Sequence, residues 1–273
     1  MPYVKTTNGK IHYKIRGTGP TVVLIRGLGC WSEHWFGWDD LLAKSCKVIT
    51  YDKKGLGLST TQMSPWSSLT ALSDEVATIL KQERIESAHI VGTSLGGMVA
   101  LTFALEHPKM AQSLTVIASS IGRSGHMRMS WPAIKLLLLR SFNHATFFDD
   151  LSKLLTSAAT SDAVRKKLAQ DWELIEQKQK VPIFTVFGQL SAAFRFNKWE
   201  DLTKITAPTQ VVVGHDDYFV PRGNSLFLHK HLPRSTLVEV ENAGHEPHVC
   251  QPDELAKIVT SFVGQVPSAA PLH

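Results

Sequence analysis

The sequence predicts an α/β protein: an eight-stranded, mostly parallel sheet with helices on both faces and a helical cap inserted into it. Three observations carry this reading. Short β-branched runs recur along the chain as continuous apolar segments, the pattern of strands buried on both faces. Stretches of helical periodicity separate most of these runs, so strand and helix alternate. One gap, from Ser119 to Thr209, spans about ninety residues without a convincing strand.

Taken in order, the chain opens as a hairpin: Tyr3–Thr6, an Asn8-Gly9 turn, then the alternation of Ile11, Tyr13 and Ile15. Asn-Gly is a strong hairpin signal because both turn positions must adopt positive φ. The runs Thr21–Ile25, Lys47–Tyr51, His89–Val91, Ser113–Ala118, Gln210–Val213 and Leu237–Val240 complete eight strands. Helical spacing fills Leu69–Gln82, Leu95–Glu106, Arg222–His231 and Asp253–Val263. In the long gap, Leu136–Leu139, Phe147, Phe148, Leu151, Leu154 and Leu155 recur at helical spacing. A structureless stretch of that length does not belong in a compact domain. Residues 120–208 are therefore expected to form a helical cap on a core made of residues 1–119 and 209–273. Gly264–His273, with few large apolar groups, is expected to fray.

Composition excludes several classes. The 273 residues are 43% hydrophobic and 19% charged, enough chain to bury roughly three-quarters of its unfolded surface unaided. Cys30, Cys46 and Cys250 are odd in number and widely spaced, which fits neither a disulfide framework nor a zinc site. No apolar run approaches the ~18 residues of a membrane span, and the first residues lack a signal-peptide or transit-peptide pattern. A cytoplasmic protein is expected. The net charge is +5 and the pI about 9.1, but the positive charges are scattered. The densest cluster, Arg165-Lys166-Lys167, reads as a solvated helix face, and no nucleic-acid module accompanies it. Gly55 and Gly57 do not make a phosphate loop, because no lysine-serine pair or helix start follows in register. No cofactor and no metal are implied, since no ligand cluster is visible. The sequence does not set an oligomeric state.

The chemistry centres on Gly92-Thr93-Ser94-Leu95-Gly96-Gly97, between an apolar strand and a helix. Its glycines permit a tight strand-to-helix turn that lifts Ser94 above the sheet edge, at a helix amino terminus. A serine hydroxyl needs a base to become a nucleophile. Of twelve histidines, His245 lies in the loop after the last strand, where open parallel sheets gather catalytic groups. His248 is the alternative. A carboxylate must orient the base, and Gly214–Pro221 supplies Asp216 and Asp217 after another strand. Asp217, deeper in the loop, is the better candidate, leaving Asp216 as a turn former.

The order Ser94, Asp217, His245, with Leu24–Gly29, Tyr51–Ser59 (YDKKGLGLS), Gly92–Gly97, Gly214–Pro221 and Gly244-His245, resembles the α/β-hydrolase superfamily. The match is to its lid-bearing carboxylesterases, lactonases and carbon–carbon hydrolases. The resemblance implies that the backbone N–H groups of Leu28 and Leu95 form the oxyanion hole. It disfavours members with an Asp nucleophile, because Ser94 occupies that position. Arg26 stands where the family has histidine, and a buried Arg paired with a carboxylate is the expected reading. Lys54 stands where it has arginine, in a loop read as structural. Trp31, Trp131, Phe187, Phe194 and Phe196 are candidates to line a substrate pocket. The expected function is a serine hydrolase cleaving a small, fairly apolar carboxylic ester through an acyl-enzyme. Lactone, enol-lactone or C–C bond hydrolysis is the alternative, and a non-catalytic small-molecule receptor on the same fold is the alternative from another class.

Overall fold

A computed structural model describes residues 2–122, 130–133, 135 and 144–266; the run Leu136–Leu139 and the expected fraying of residues 267–273 lie outside them. The strands are β1 Tyr3–Thr6, β2 Gly9–Arg16, β3 Thr21–Ile25, β4 Lys47–Tyr51, β5 Ala88–Thr93, β6 Ala111–Ile117, β7 Thr209–Gly214 and β8 Ser235–Val240. They form one sheet in the order β1-β2-β4-β3-β5-β6-β7-β8. β2 is antiparallel to β1 and β4, and the remaining pairs are parallel. The described helices are α1 Trp38–Leu42, α2 Leu69–Gln82, α3 Leu95–Glu106, α4 His144–Leu155, α5 Asp162–Lys178, α6 Ile183–Arg195, α7 Gly223–His231, α8 Pro247–Cys250 and α9 Pro252–Gln265.

Alternation along the strands explains the two-layered core. Val23 and Ile25 of β3 join Leu72, Val76 and Val99 of α2 and α3 on one face. Val22 and Leu24 join Trp38, Leu42, Leu255 and Val259 of α1 and α9 on the other. Both faces of β3 are apolar, so the strand reads as an unbroken hydrophobic run.

The hairpin departs from expectation. Its register pairs Thr6 with Gly9, so the turn is Thr7-Asn8, one residue early. Asn8 does not take positive φ; Gly9 does, at 135°. A tertiary contact displaces the glycine into the strand, because β2 exchanges hydrogen bonds with Thr60 through Lys10.

Between β6 and β7 lie α4, α5, α6 and a 3-10 turn over Glu200–Lys204, with no strand among the described residues. Phe147, Leu151 and Leu155 of α4 pack on Phe219 and Val220, beyond β7. Phe196, Leu202 and Ile205, at the end of this segment, are buried in the main core. The expected cap boundary at residue 208 therefore runs through packed structure. No described helix is long and apolar enough to cross a membrane. All three cysteines are free; Cys30 and Cys46 are buried and Cys250 is partly so.

Candidate active site

Because β3, β5, β7 and β8 are mutually parallel, the loops after them open at one sheet edge, where ligands of such sheets bind. Ser94 joins β5 to α3 with φ 57° and ψ −121°, a conformation that costs a non-glycine residue about 1–3 kcal/mol. The surroundings over-determine it: Ser94 N donates to Ile117 O at 2.9 Å, and Ser119 Oγ donates to Ser94 O at 2.7 Å. The flanking glycines are required by close approach. A Cβ on Gly92 would lie 2.1 Å from Gly96 O, and one on Gly96 would lie 2.1 Å from Ile25 O.

Asp217 and His245 come together from the loops after β7 and β8. His245 Nδ1 donates to Asp217 Oδ2 at 3.0 Å, with both side chains buried. Asp217 Oδ1 accepts from Phe219 N at 3.0 Å and Val220 N at 2.8 Å, which fixes the carboxylate. Burial pushes the His245 imidazole down, but the charge and hydrogen bond of Asp217, with the Glu246 charge, together outweigh it, and the pKa lies above the ordinary histidine value. The Phe219 ring lies 4.6 Å from the His245 ring. Asp216 instead accepts a hydrogen bond from Ser157, between α4 and α5.

His248 belongs to a different cluster. Arg26 donates to both Glu246 oxygens, Nη1 to Oε2 at 2.9 Å and Nη2 to Oε1 at 3.0 Å. His248 Nδ1 lies 3.0 Å from Glu246 Oε2, and the guanidinium stacks 4.8 Å over the Trp35 ring. Burial would raise the Glu246 pKa, but Arg26 and His248 hold it well below the usual carboxylate range. Burial keeps His248 below the ordinary histidine value. The arginine in place of the family's histidine thus ties the loop after β3 to the loop that carries His245.

Sequence reasoning read the Asp52–Gly57 loop as structural and passed over Lys53. Its side chain is buried, and Nζ donates to the carbonyls of Arg26 at 2.8 Å, Gly27 at 3.0 Å and Cys30 at 2.7 Å. Desolvation pushes its pKa down to about 8. A trans peptide sets C=O and N–H on opposite sides. With the Gly27 carbonyl turned onto Lys53, the Leu28 N–H points the other way, and it has no acceptor among the described residues. The Leu95 N–H is one of the unpaired donors of the first turn of α3. Gly27 packs so closely on the serine that a Cβ there would lie 3.2 Å from Ser94 Cβ.

Ser94 and His245 open onto one cavity of about 200 Å3, lined by Gly27, Leu28, Phe148, Trp172, Phe187 and Phe219 among others. Phe187 lines this cavity, and Phe194 lines a smaller one that also reaches Ser94. The other three pocket candidates stand elsewhere. Trp31 is buried between Leu56 and Ile175, edge-on to His34. Trp131 is 72% exposed, and Phe196 is in the main core. Proximity in sequence to a loop does not tell which way a side chain turns. The missed lining residues Phe147, Phe148, Leu151 and Leu155 carried a signal, an i, i+3/i+4 apolar stripe on α4.

The match to known proteins agrees with this architecture. The family model described as alpha/beta hydrolase fold matches residues 20–250. A pimeloyl-[acyl-carrier protein] methyl ester esterase of Aeromonas hydrophila is 31% identical over 252 residues, 91% of this chain and 97% of that protein. A protein of Azorhizobium caulinodans named for carbamate hydrolysis is 26% identical over 272 residues, 97% of this chain and 99% of its own. Among solved structures, a protein described as an N-acyl homoserine lactone degrading enzyme superimposes with a TM-score of 0.81 at 24% identity. That match covers 96% of this chain and 100% of that one. With the loops after β3, β5, β7 and β8 converging on one cavity and a family match over most of its length, this chain belongs to the alpha/beta hydrolase fold family and is a hydrolase.

Proposed function

We propose that this hydrolase cleaves a small, fairly apolar carboxylic ester, with Ser94 as nucleophile, His245 as general base and acid, and Asp217 holding the His245 tautomer. The observation that carries the reading is the buried Asp217–His245 hydrogen bond beside the cavity onto which Ser94 opens. Ser94 Oγ attacks the carbonyl carbon and gives its proton to His245. The carbonyl oxygen becomes an oxyanion held by the N–H groups of Leu28 and Leu95. As the C–O bond to the alcohol breaks, His245 passes the proton to the leaving oxygen. Water then adds to the acyl-enzyme, giving a proton to His245. That proton returns to Ser94 Oγ as the acid departs.

An apolar substrate is supported by the lining, which among the described residues contains no Lys or Arg. Arg26 is engaged by Glu246, so a substrate carboxylate would be buried without a cation. A carbamate is the second reading, favoured by the relative named for that reaction over nearly the whole chain; its carbonyl would meet the same groups. The test is steady-state hydrolysis of an ester and carbamate panel by the wild type and Ser94→Ala. Sustained turnover that falls about a millionfold in the variant is expected, the scale at which a serine nucleophile is lost. A single burst without turnover on every ester would identify a receptor instead.

A further inference from the structure

Two cavities meet at Ser94. They share Leu28, Ser94, Leu190 and Phe219 as lining. The larger, of about 200 Å3, is lined by His245 with Phe147, Phe148, Trp172 and Phe187. The smaller, of about 60 Å3, is lined by Leu95 and Met98 with Ser119 and Phe194. His245 borders only the larger and Leu95 only the smaller.

We propose that the alcohol half of the ester occupies the larger cavity and the acyl half the smaller, making the preferred substrate a short-chain acyl ester of a bulky apolar alcohol. The assignment rests on the Ser94–His245 ester-hydrolase reading and follows from where the proton goes. The leaving oxygen takes its proton from His245, so it stands beside that imidazole, and its carbon chain continues into the cavity that His245 lines. The carbonyl oxygen is directed to the N–H groups of Leu28 and Leu95. The remaining substituent on the carbonyl carbon, the acyl chain, is left with the cavity on the Leu95 side.

Volume then sets the size of each half. The smaller cavity, at about 60 Å3, suits a short acyl chain such as that of an acetyl or propionyl group. Met98 closes it from within, at 3% exposure. The larger cavity has more than three times the space, and its aromatic walls suit an alkyl or aryl group of six or more carbons. Each methylene buried there is worth about fourfold in kcat/KM, so the order of the two halves is readable from rates.

The experiment compares two isomeric esters of equal carbon number, hexyl acetate and methyl heptanoate. Both release a primary alcohol, so they differ chiefly in which half is long. The expected result is a kcat/KM for hexyl acetate at least about tenfold higher. Equal rates, or preference for methyl heptanoate, overturn the assignment while leaving the ester-hydrolase reading intact. Hydrolysis of neither isomer overturns both. Two exposed wall residues sharpen the test. Phe194→Ala should raise hexyl butanoate relative to hexyl acetate, and Phe187→Ala should shift the alcohol-length profile with the acyl profile fixed. An exchange of these two effects overturns the assignment as well.

Discussion

The loops at the carboxyl edge of the sheet and the helices inserted between β6 and β7 face each other across one cavity, and they bring different side chains to it. The loops are fixed by buried, directional bonds: three from Lys53 to loop carbonyls, two from Arg26 to Glu246, two from backbone N–H groups to Asp217. The helices are hydrogen-bonded to the core as well, Gln189 Oε1 accepting from Gly29 N at 2.9 Å and Thr185 Oγ1 donating to Gly55 O at 3.2 Å, but the side chains they turn to the cavity are apolar, and Phe187 and Phe194 remain more than half exposed. Directional bonds hold a reacting geometry to fractions of an ångström; apolar contact tolerates exchange of one side chain for another. The difference separates a fixed chemical edge from an adaptable wall.

The largest expected effect lies on the chemical edge. Asp217→Asn should lower kcat about ten-thousandfold by favouring the wrong imidazole tautomer, whereas Asp216→Asn should cost less than about tenfold. The pH profile gives an independent check. The base must be neutral, so kcat/KM should fall as pH drops through the His245 pKa, held above its ordinary value by Asp217. Removing the Asp217 charge should move that acid limb to lower pH. An unmoved limb would assign it to another group.

Next comes Lys53. Lys53→Met fills the same space but leaves three carbonyls without a donor. It should lower kcat about a hundred- to a thousandfold, the worth of one oxyanion donor, with little change in KM. Equal losses in kcat and in thermal stability, with KM raised, would make Lys53 a packing residue only.

The smallest effect is expected on the wall. Phe148→Ala and Phe187→Ala should each change relative specificity among ester chain lengths by up to about a hundredfold. The melting temperature of Phe187→Ala should barely move, because that ring is 57% exposed. If instead each variant lost about 3–5 kcal/mol of stability with a flat substrate profile, the helices would be core rather than wall, and the comparison would collapse.

The same division explains what could be read in advance. The Gly92–Gly97 turn is legible because its geometry forbids side chains at particular positions, and a forbidden side chain leaves a glycine in the sequence. The strands are legible because both faces of β3 and β5 are buried. Asp217 and His245 follow from strand ends, and so does their convergence. Lys53 is not legible, since its three acceptors lie 23 to 27 residues away and are backbone carbonyls, which no residue type announces. The aromatics divide likewise. Periodicity tells that α4 has an apolar face, yet what that face meets is decided by Phe219 and Val220, more than sixty residues further on.

The Arg26–Glu246 pair joins positions 220 residues apart. A chain emerging from a ribosome would complete β3, and with it Arg26, long before the loop that carries Glu246 exists. Until then a guanidinium destined for the interior has no carboxylate to meet, and burying it unpaired is strongly unfavourable. The edge of the sheet therefore cannot close around a partial chain. Contacts of such long range also make assembly slow, so this edge of the sheet takes its final form only after the segment that carries Glu246 has been made.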